Sequence, residues 1–248
     1  MLSSRLLVPL LALLVWLLPA EPALAQATGV DTRHQLWLGY MTQTRLSERY
    51  GWWNDVHLVP GSFYVLRTGL TYRWTERLHA TLGYAYLGLA LSSENRELKR
   101  AEHRPWGQLS YNQRFAQHWN FTARWRQDAR FRRNVTNGQL APGYGFANRS
   151  RLLVGLRRDF PELGLGEHAV PYATLGNEVL VEWTFSGARL DQNRLIVGIG
   201  LARRDVSLQL SYMNRYVQLA PGAASRGVMN HTLVLWLFQN FDLRPTKE

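Results

Sequence analysis

Residues Trp119–Arg132 read WNFTARWRQDARFR, and this stretch decides the fold class of the chain. Apolar side chains occupy most of its odd positions: Trp119, Phe121, Ala123, Trp125, Ala129 and Phe131. Polar side chains occupy its even positions: Asn120, Thr122, Arg124, Arg126, Asp128, Arg130 and Arg132. Because a β-strand directs successive side chains to opposite faces, the stretch predicts a strand with one apolar face and one cationic face.

A strand of this kind fits poorly into a water-soluble core, because an unpaired buried charge costs several kcal/mol. A sheet that closes on itself in a membrane accommodates both faces, since lipid contacts the apolar side and a wet interior receives the arginines. The pattern therefore predicts a transmembrane β-barrel of the bacterial outer membrane. The alternative is a soluble periplasmic β-sandwich that binds an anionic ligand.

The first 25 residues have the form of a cleaved signal peptide. Met1–Arg5 is short and positively charged, Leu6–Leu18 is apolar, and Ala23–Ala25 gives the small-x-small form of a cleavage site. The apolar stretch is shorter than the roughly 20 residues that a membrane-spanning helix needs. We therefore expect residues 1–25 to be removed on export and residues 26–248 to form one barrel domain.

The composition is cationic and contains no cysteine. The chain has 29 Lys and Arg against 18 Asp and Glu, a net charge of +11. The arginines alternate with apolar residues along strands rather than clustering in a tail or helix, which with export argues against nucleic acid as a partner. The lack of cysteine excludes a disulfide-stapled secreted domain. Outer-membrane lipids, lipopolysaccharide and small anionic solutes are the expected partners.

The same alternation recurs along the chain and indicates eleven strands. We expect them at Thr32–Thr44, Arg49–Val59, Phe63–Trp74, Leu78–Leu89, Arg104–Phe115, Trp119–Arg132, Asn148–Asp159, His168–Trp183, Asp191–Ala202, Val206–Val217 and Asn230–Phe241. Long loops are expected at Ser92–His103, Asn134–Phe146 and Pro221–Gly227. Because single-chain bacterial barrels have an even number of strands, we expect an all-β, antiparallel barrel of 10–12 strands, with 12 favoured.

The polar side chains on the inner faces form the candidate site, a network in a narrow lumen. Its members are Arg67, Arg73, Arg104, Gln108, Arg124, Arg126, Asp128, Arg130, Arg149, Arg151, Arg157, Glu178, Glu182, Gln192 and Arg194. Two interpretations of this network remain open. Ion pairs between its members fill the lumen and fix the strand register. Otherwise the arginines form a constriction that prefers small anions.

Aromatic residues near the predicted strand ends are expected to lie at the membrane interfaces. They are Trp37, Tyr40, Trp52, Trp74, Trp119 and Trp183.

A membrane-embedded lipid-modifying enzyme is the competing function. None of the seven histidines lies in a His-x-Ser pair, and the sequence has no Gly-x-Ser-x-Gly motif. Asp55 and His57 share a strand face, where we expect a polar lumen pair. Metal-ligand spacing and phosphate-binding glycine loops are also missing from the sequence. We therefore expect no enzymatic activity, catalytic residue, metal or cofactor.

Short motifs spread along the chain carry a family resemblance. They include QLWLG at Gln35–Gly39, LRTGLTY at Leu66–Tyr72, EHRPWGQ at Glu102–Gln108, DQNR at Asp191–Arg194 and YMN at Tyr212–Asn214. In this order and spacing they resemble the uncharacterised family known as domain of unknown function 2490. The resemblance implies an exported, barrel-like protein of Gram-negative bacteria. It implies no catalytic residues, because the family has no settled activity.

Overall fold

The computed structural model describes residues 29–91, 99–164, 169–185, 187–219 and 226–244. The predicted signal peptide, residues 1–25, lies outside the described residues. Most of the loop predicted at Ser92–His103 and of the one predicted at Pro221–Gly227 lies outside them as well. Within the part of the chain that is described, no helix is long and apolar enough to span a membrane.

Eleven strands form one closed barrel in which strands that are consecutive in the chain are also neighbours in the sheet. They are β1 (Val30–Arg45), β2 (Tyr50–Val59), β3 (Phe63–Arg73), β4 (Leu78–Ala90), β5 (Lys99–Ala116), β6 (Trp119–Thr136), β7 (Gln139–Asp159), β8 (Ala169–Thr184), β9 (Gly187–Arg203), β10 (Val206–Gln218) and β11 (Gly227–Asp242). A short 3₁₀ turn, Pro161–Leu163, follows β7. The prediction of an all-β closed barrel is confirmed, and the two-sheet sandwich is excluded.

The preference for twelve antiparallel strands is wrong, because the barrel closes through a parallel pair. Strands that are consecutive in the chain run antiparallel, so the eleventh strand points in the same direction as the first. β1 and β11 pair in parallel register over their whole length, from Val30 opposite Gly227 to Arg45 opposite Asp242. A parallel ladder satisfies the edge N–H and C=O groups, so closure does not require an even strand count.

The loop predicted at Asn134–Phe146 is also wrong. Here β6 and β7 continue as a long hairpin and turn at Asn137 and Gly138, with Thr136 opposite Gln139. Both turn residues have positive φ, 50° and 73°. This is the conformation that an Asn-Gly pair adopts most easily in a two-residue hairpin turn. The glycines and the proline that follow suggested a loop, whereas the Asn-Gly pair was the stronger signal.

The two faces of the sheet differ as the alternation predicts. On β3, Leu66 and Leu70 are 48% and 46% exposed on the outer surface, whereas Val65 and Thr71 are buried. Large exposed apolar side chains occur on all eleven strands, including Leu36, Val56, Leu66, Leu82, Leu109, Trp125, Leu152, Leu175, Val197, Leu210 and Leu235. The outer surface of the barrel is therefore predominantly apolar around its whole circumference.

Apolar side chains also fill part of the interior. One cluster contains Trp53, Val65, Ala85, Leu87 and Trp106, and a second contains Trp37, Val59, Met213 and Val234. Trp37 was expected at the membrane interface, and this expectation is wrong because its side chain is only 6% exposed. It shares its strand face with Gln35, two positions before it, and Met41, four positions after it, so the alternation directs it inward.

Gly39 makes the seam between β1 and β11 possible. It lies opposite Trp236, and a Cβ atom at Gly39 would lie 1.8 Å from Cζ3 of the indole ring. We expect Gly39→Ala to destabilise the barrel by about 1–3 kcal/mol, because either the ring or the seam must move. The measurement is urea unfolding followed by Trp fluorescence, together with heat-modifiable migration in gels.

Gly155→Ala is the matched control for this substitution. A Cβ atom there would meet its nearest neighbour, the carbonyl oxygen of Leu175, at an ordinary 3.7 Å. A Gly39→Ala protein as stable as the Gly155→Ala protein would contradict the close packing at the seam.

Candidate functional site

Strands β5 to β9 supply most of the charged side chains of the interior. On β6 the even-numbered residues from Arg124 to Arg132 face inward. Arginines among them pair with carboxylates of β5 on one side and of β8 on the other. Curvature of the barrel brings β6 and β8 within reach of each other, although these strands are not adjacent in the sheet. Arg130 of β6, for example, donates to Glu102 of β5 at 2.8 Å and to Glu182 of β8 at 2.6 Å. The charged residues therefore link strands across the interior as well as along the sheet.

Glu102 is the most heavily paired carboxylate of the interior, and its side chain is fully buried. Arg104 donates to its Oε1 from Nε at 3.0 Å and from Nη2 at 2.5 Å. Arg130 donates to both of its oxygens, and Arg132 Nε donates to Oε2 at 2.9 Å. Three guanidinium groups therefore share this carboxylate, although Arg130 also pairs with Glu182.

A second cluster surrounds Asp128. Arg151 donates to Asp128 Oδ2 at 2.7 Å, and Arg149 approaches the same oxygen at 3.4 Å. Arg149 also donates to Asp191 at 3.0 Å. Asp191 lies at a register shift between β8 and β9, where Leu180 pairs with Gln192 and the next residue pairs with Leu190. This extra residue lets Asp191 face inward although Gln192, its neighbour, does so as well.

Glu178 of β8 pairs with two arginines of the network. It accepts from Arg124 Nη2 at 2.7 Å and from Arg194 Nη1 at 2.9 Å. The Nε and Nη2 atoms of Arg194 donate to the side-chain oxygen of Gln192.

A smaller polar group lies on β1 to β3. Arg67 makes a forked ion pair with Asp55, at 2.9 Å from Nε and 2.7 Å from Nη2. His57 places Nε2 3.1 Å from Asp55 Oδ1, and the indole N–H of Trp37 donates to His57 Nδ1 at 2.9 Å. Since an indole nitrogen only donates, His57 Nδ1 accepts this bond, and Nε2 lies 3.1 Å from both Asp55 Oδ1 and Arg67 Nη2. Asp55 and His57 thus form a polar pair in the lumen.

Two buried arginines have no carboxylate partner among the described residues. Arg126 is 1% exposed and donates to Gln108 Oε1 at 3.0 and 2.6 Å. Its guanidinium lies 4.4 Å from the ring centroid of Trp106 and 5.3 Å from that of Trp53. Arg215 is 8% exposed and donates to Gln35 Oε1 at 2.8 Å. Cation–π contacts and amide oxygens stabilise these cations without neutralising them.

Two cavities lie inside the barrel. The larger has a volume of about 440 Å³ and is lined by nine arginines but only two glutamates, together with many apolar side chains. The smaller, about 100 Å³, is polar and contacts Arg73, His79 and Gln108. Trp53 lines both cavities. Arg126 lines the larger cavity, and its partner Gln108 lines the smaller one.

Comparison with known proteins identifies the family. Residues 34–226 match the family described as "Protein of unknown function (DUF2490)". The chain belongs to this family. No curated protein has a significantly similar sequence.

Two solved structures resemble this DUF2490 protein in fold. One, "LpxR from Salmonella typhimurium", is 15% identical, with 78% of this chain and 84% of that chain covered and a TM-score of 0.45. The other, a NanC porin structure, is 10% identical, with 77% and 91% covered and a TM-score of 0.37. Both likenesses are distant and carry no argument about function.

The structure of the DUF2490 chain brings most of the predicted site residues together and separates two. Arg104, Gln108, Arg124, Arg126, Asp128, Arg130, Arg149, Arg151, Glu178, Glu182, Gln192 and Arg194 belong to the network, and Arg67 joins Asp55 and His57. Arg73 instead lines the smaller cavity. Arg157 pairs with Asp159 at 2.7 Å and lies 3.6 Å from the ring centroid of Tyr172, away from the larger cavity.

The sequence analysis missed several members of this interior. Arg189 pairs with Glu182 at 2.6 Å, and Arg215 lines the larger cavity. Trp53 and Trp106 were also missed, although Trp106 lies between the predicted inner residues Arg104 and Gln108. Extending the alternation along each strand would have found Trp106 and Arg215. Arg189 would have needed knowledge of the register shift at Asp191.

Glu102→Gln tests the dependence of the network on one carboxylate. We expect a loss of about 3–5 kcal/mol in the free energy of unfolding, because two buried guanidiniums, those of Arg104 and Arg130, and the partly exposed one of Arg132 lose a shared counter-charge. Urea unfolding in lipid vesicles measures it. Glu48→Gln is the control, since Glu48 pairs with Arg244 at 2.9 Å but has a side chain that is 73% exposed. Exposed pairs of this kind contribute about 0–1 kcal/mol. Equal losses in the two variants would refute the role given to Glu102.

Proposed function

We propose that this DUF2490 protein is an outer-membrane β-barrel with a closed lumen, in which a buried polar network holds the barrel in shape and an internal cavity is available to a ligand. The observation that carries the proposal is the position of Trp53, which lines both internal cavities, while Arg126 of the larger cavity donates to Gln108 of the smaller. We take these three side chains as the partition that closes the lumen.

The outer surface supports a membrane location. A soluble monomer rarely exposes one large continuous apolar surface, and here exposed Leu, Val and Trp side chains lie on all eleven strands. The strands are 10 to 21 residues long. A tilted strand needs about 9–11 residues to cross the hydrocarbon layer. Outer-membrane lipids, including lipopolysaccharide, are accordingly the proposed surroundings of the barrel.

The packing of the interior supports a closed lumen. Arg126, Glu102 and Asp128 are at most 1% exposed. A water-filled pore would leave lumen side chains of this kind accessible. We assign no catalytic role to the interior, because its carboxylates Glu178 and Glu182 each bind two arginines at 2.6–2.9 Å. These ion pairs occupy both carboxylates.

A narrow anion channel is the second candidate. The surplus of arginines over glutamates in the lining of the larger cavity favours it. Arginine rings attract anions in selective pores. A channel would require the partition to open. The two candidates therefore differ in whether the Trp53 side chain blocks the lumen.

Planar-bilayer recording distinguishes the two candidates. We expect no single-channel conductance from the wild-type protein. We expect Trp53→Ala to conduct weakly with a preference for anions, because the side chain shared by both cavities is removed while the arginines remain. Trp125→Ala is the matched control, since Trp125 faces outward, is 48% exposed and is not among the residues that line either cavity. Steady conductance from the wild-type barrel would favour the channel.

A further inference from the structure

We infer that the larger cavity binds an organic carboxylate with an apolar body, whose charged head lies beside Arg215 and Arg194, where the cationic and apolar parts of the lining meet, and whose body packs on the apolar part. This inference deepens the proposed function, because it depends on a lumen that is closed and therefore offers a pocket. The inferred site differs from a site for a small anion, since its ligand must contact both the arginines and the apolar side chains of the lining.

The lining of the cavity is two-sided. Strands β5 to β9 contribute most of its charged members, whereas β1 to β4, β10 and β11 contribute most of its apolar ones. The apolar wall includes Phe63, Leu87, Leu89, Met213, Val234 and Trp236. A ligand that fills this space contacts guanidinium groups at one side and hydrocarbon at the other, which is the arrangement that an amphipathic anion satisfies.

The position of Arg215 identifies where the charged head lies. Arg215 on β10 is the direct register partner of Arg194 on β9, and both line the cavity. Like charges directly opposite one another across two strands are destabilising. Glu178 compensates Arg194, but no carboxylate in the described part of the chain contacts Arg215, and its buried Nε has no hydrogen-bond partner. Arg215 thus carries a charge that no contacting carboxylate offsets, and a bound monoanion would supply that carboxylate.

Trp37 joins this cationic pair to the apolar wall. Its ring centroid lies 5.7 Å from the guanidinium carbon of Arg194 and 5.9 Å from that of Arg215. The same ring lies 5.1 Å from Phe63 and 6.4 Å from Trp236. A carboxylate beside Arg215 therefore has an aromatic surface next to it, along which an apolar body extends. The volume of about 440 Å³ falls within the roughly 300–1,000 Å³ of small-molecule pockets.

Isothermal titration of the full-length protein in lipid nanodiscs tests the inference. The probes are 4-phenylbutyrate, its neutral amide 4-phenylbutanamide, and acetate, which has the charged head without the body. We expect 4-phenylbutyrate to bind and the other two probes to bind at least about tenfold more weakly. The amide lacks the negative charge, and acetate lacks the apolar body. Comparable binding of the amide would overturn the anion requirement, and comparable binding of acetate would overturn the apolar one.

Two cavity variants and one control locate the binding. Arg215→Gln keeps a polar side chain but removes the surplus charge, and we expect it to weaken 4-phenylbutyrate binding about tenfold or more. Met213→Gln keeps the side-chain length and makes the apolar wall polar, so it is expected to weaken binding severalfold. Arg244→Gln, outside the strands, should leave binding unchanged. Binding that survives in both cavity variants with heat-modifiable migration intact, or no binding by the wild type, overturns the inference.

The same protein preparations are recorded in planar bilayers. The ligand proposal and the closed-lumen proposal can then be contradicted independently of each other. A silent wild-type barrel that binds none of the probes contradicts the ligand and leaves the closed lumen standing. A wild-type barrel that conducts contradicts the closed lumen itself, and with it the pocket on which the ligand depends.

Discussion

Closure of the sheet through the parallel seam between β1 and β11 is the constraint on which the rest of the structure depends. Without it the two edge strands would expose unpaired backbone groups, and the arginine-bearing faces would open to one side. The seam depends in turn on close contact at Gly39, where the ring of Trp236 occupies the space that any side chain would need. Closure converts an amphipathic ribbon into an apolar outer surface and an enclosed polar interior.

Because the interior is enclosed, its balance of positive and negative charges strongly affects the stability of the barrel. A buried ion pair adds little net stability by itself, but removing one partner leaves an uncompensated charge in a poorly solvated place. Several of these pairs join strands that are not adjacent, such as Arg149 of β7 with Asp191 of β9. They therefore fix the cross-section of the barrel as well as its register. Strand pairing alone would not set the cross-section.

Charged side chains line only one part of the interior, and apolar side chains line the rest. Trp37, Trp53 and Trp106 bring aromatic surface against arginines, so that Arg126 and Arg215 are held by rings and amides rather than by carboxylates. This combination of surplus positive charge and hydrocarbon is the basis of the pocket proposed above.

The sequence by itself determined the all-β class, the inward side of most strands and the polar network, because side-chain alternation is a local property of a strand. The alternation around Arg124 and Arg126 needed no knowledge of the rest of the chain. The sequence did not determine the parallel closure or the register shift at Asp191, because those depend on which edges meet and how the strands align. The hairpin at Asn137 and Gly138 was within its reach, since an Asn-Gly pair is a local turn signal. Only the tertiary structure decided that no described carboxylate contacts Arg215 and that Trp53 lines two cavities, because both depend on distances between strands that are far apart in the chain.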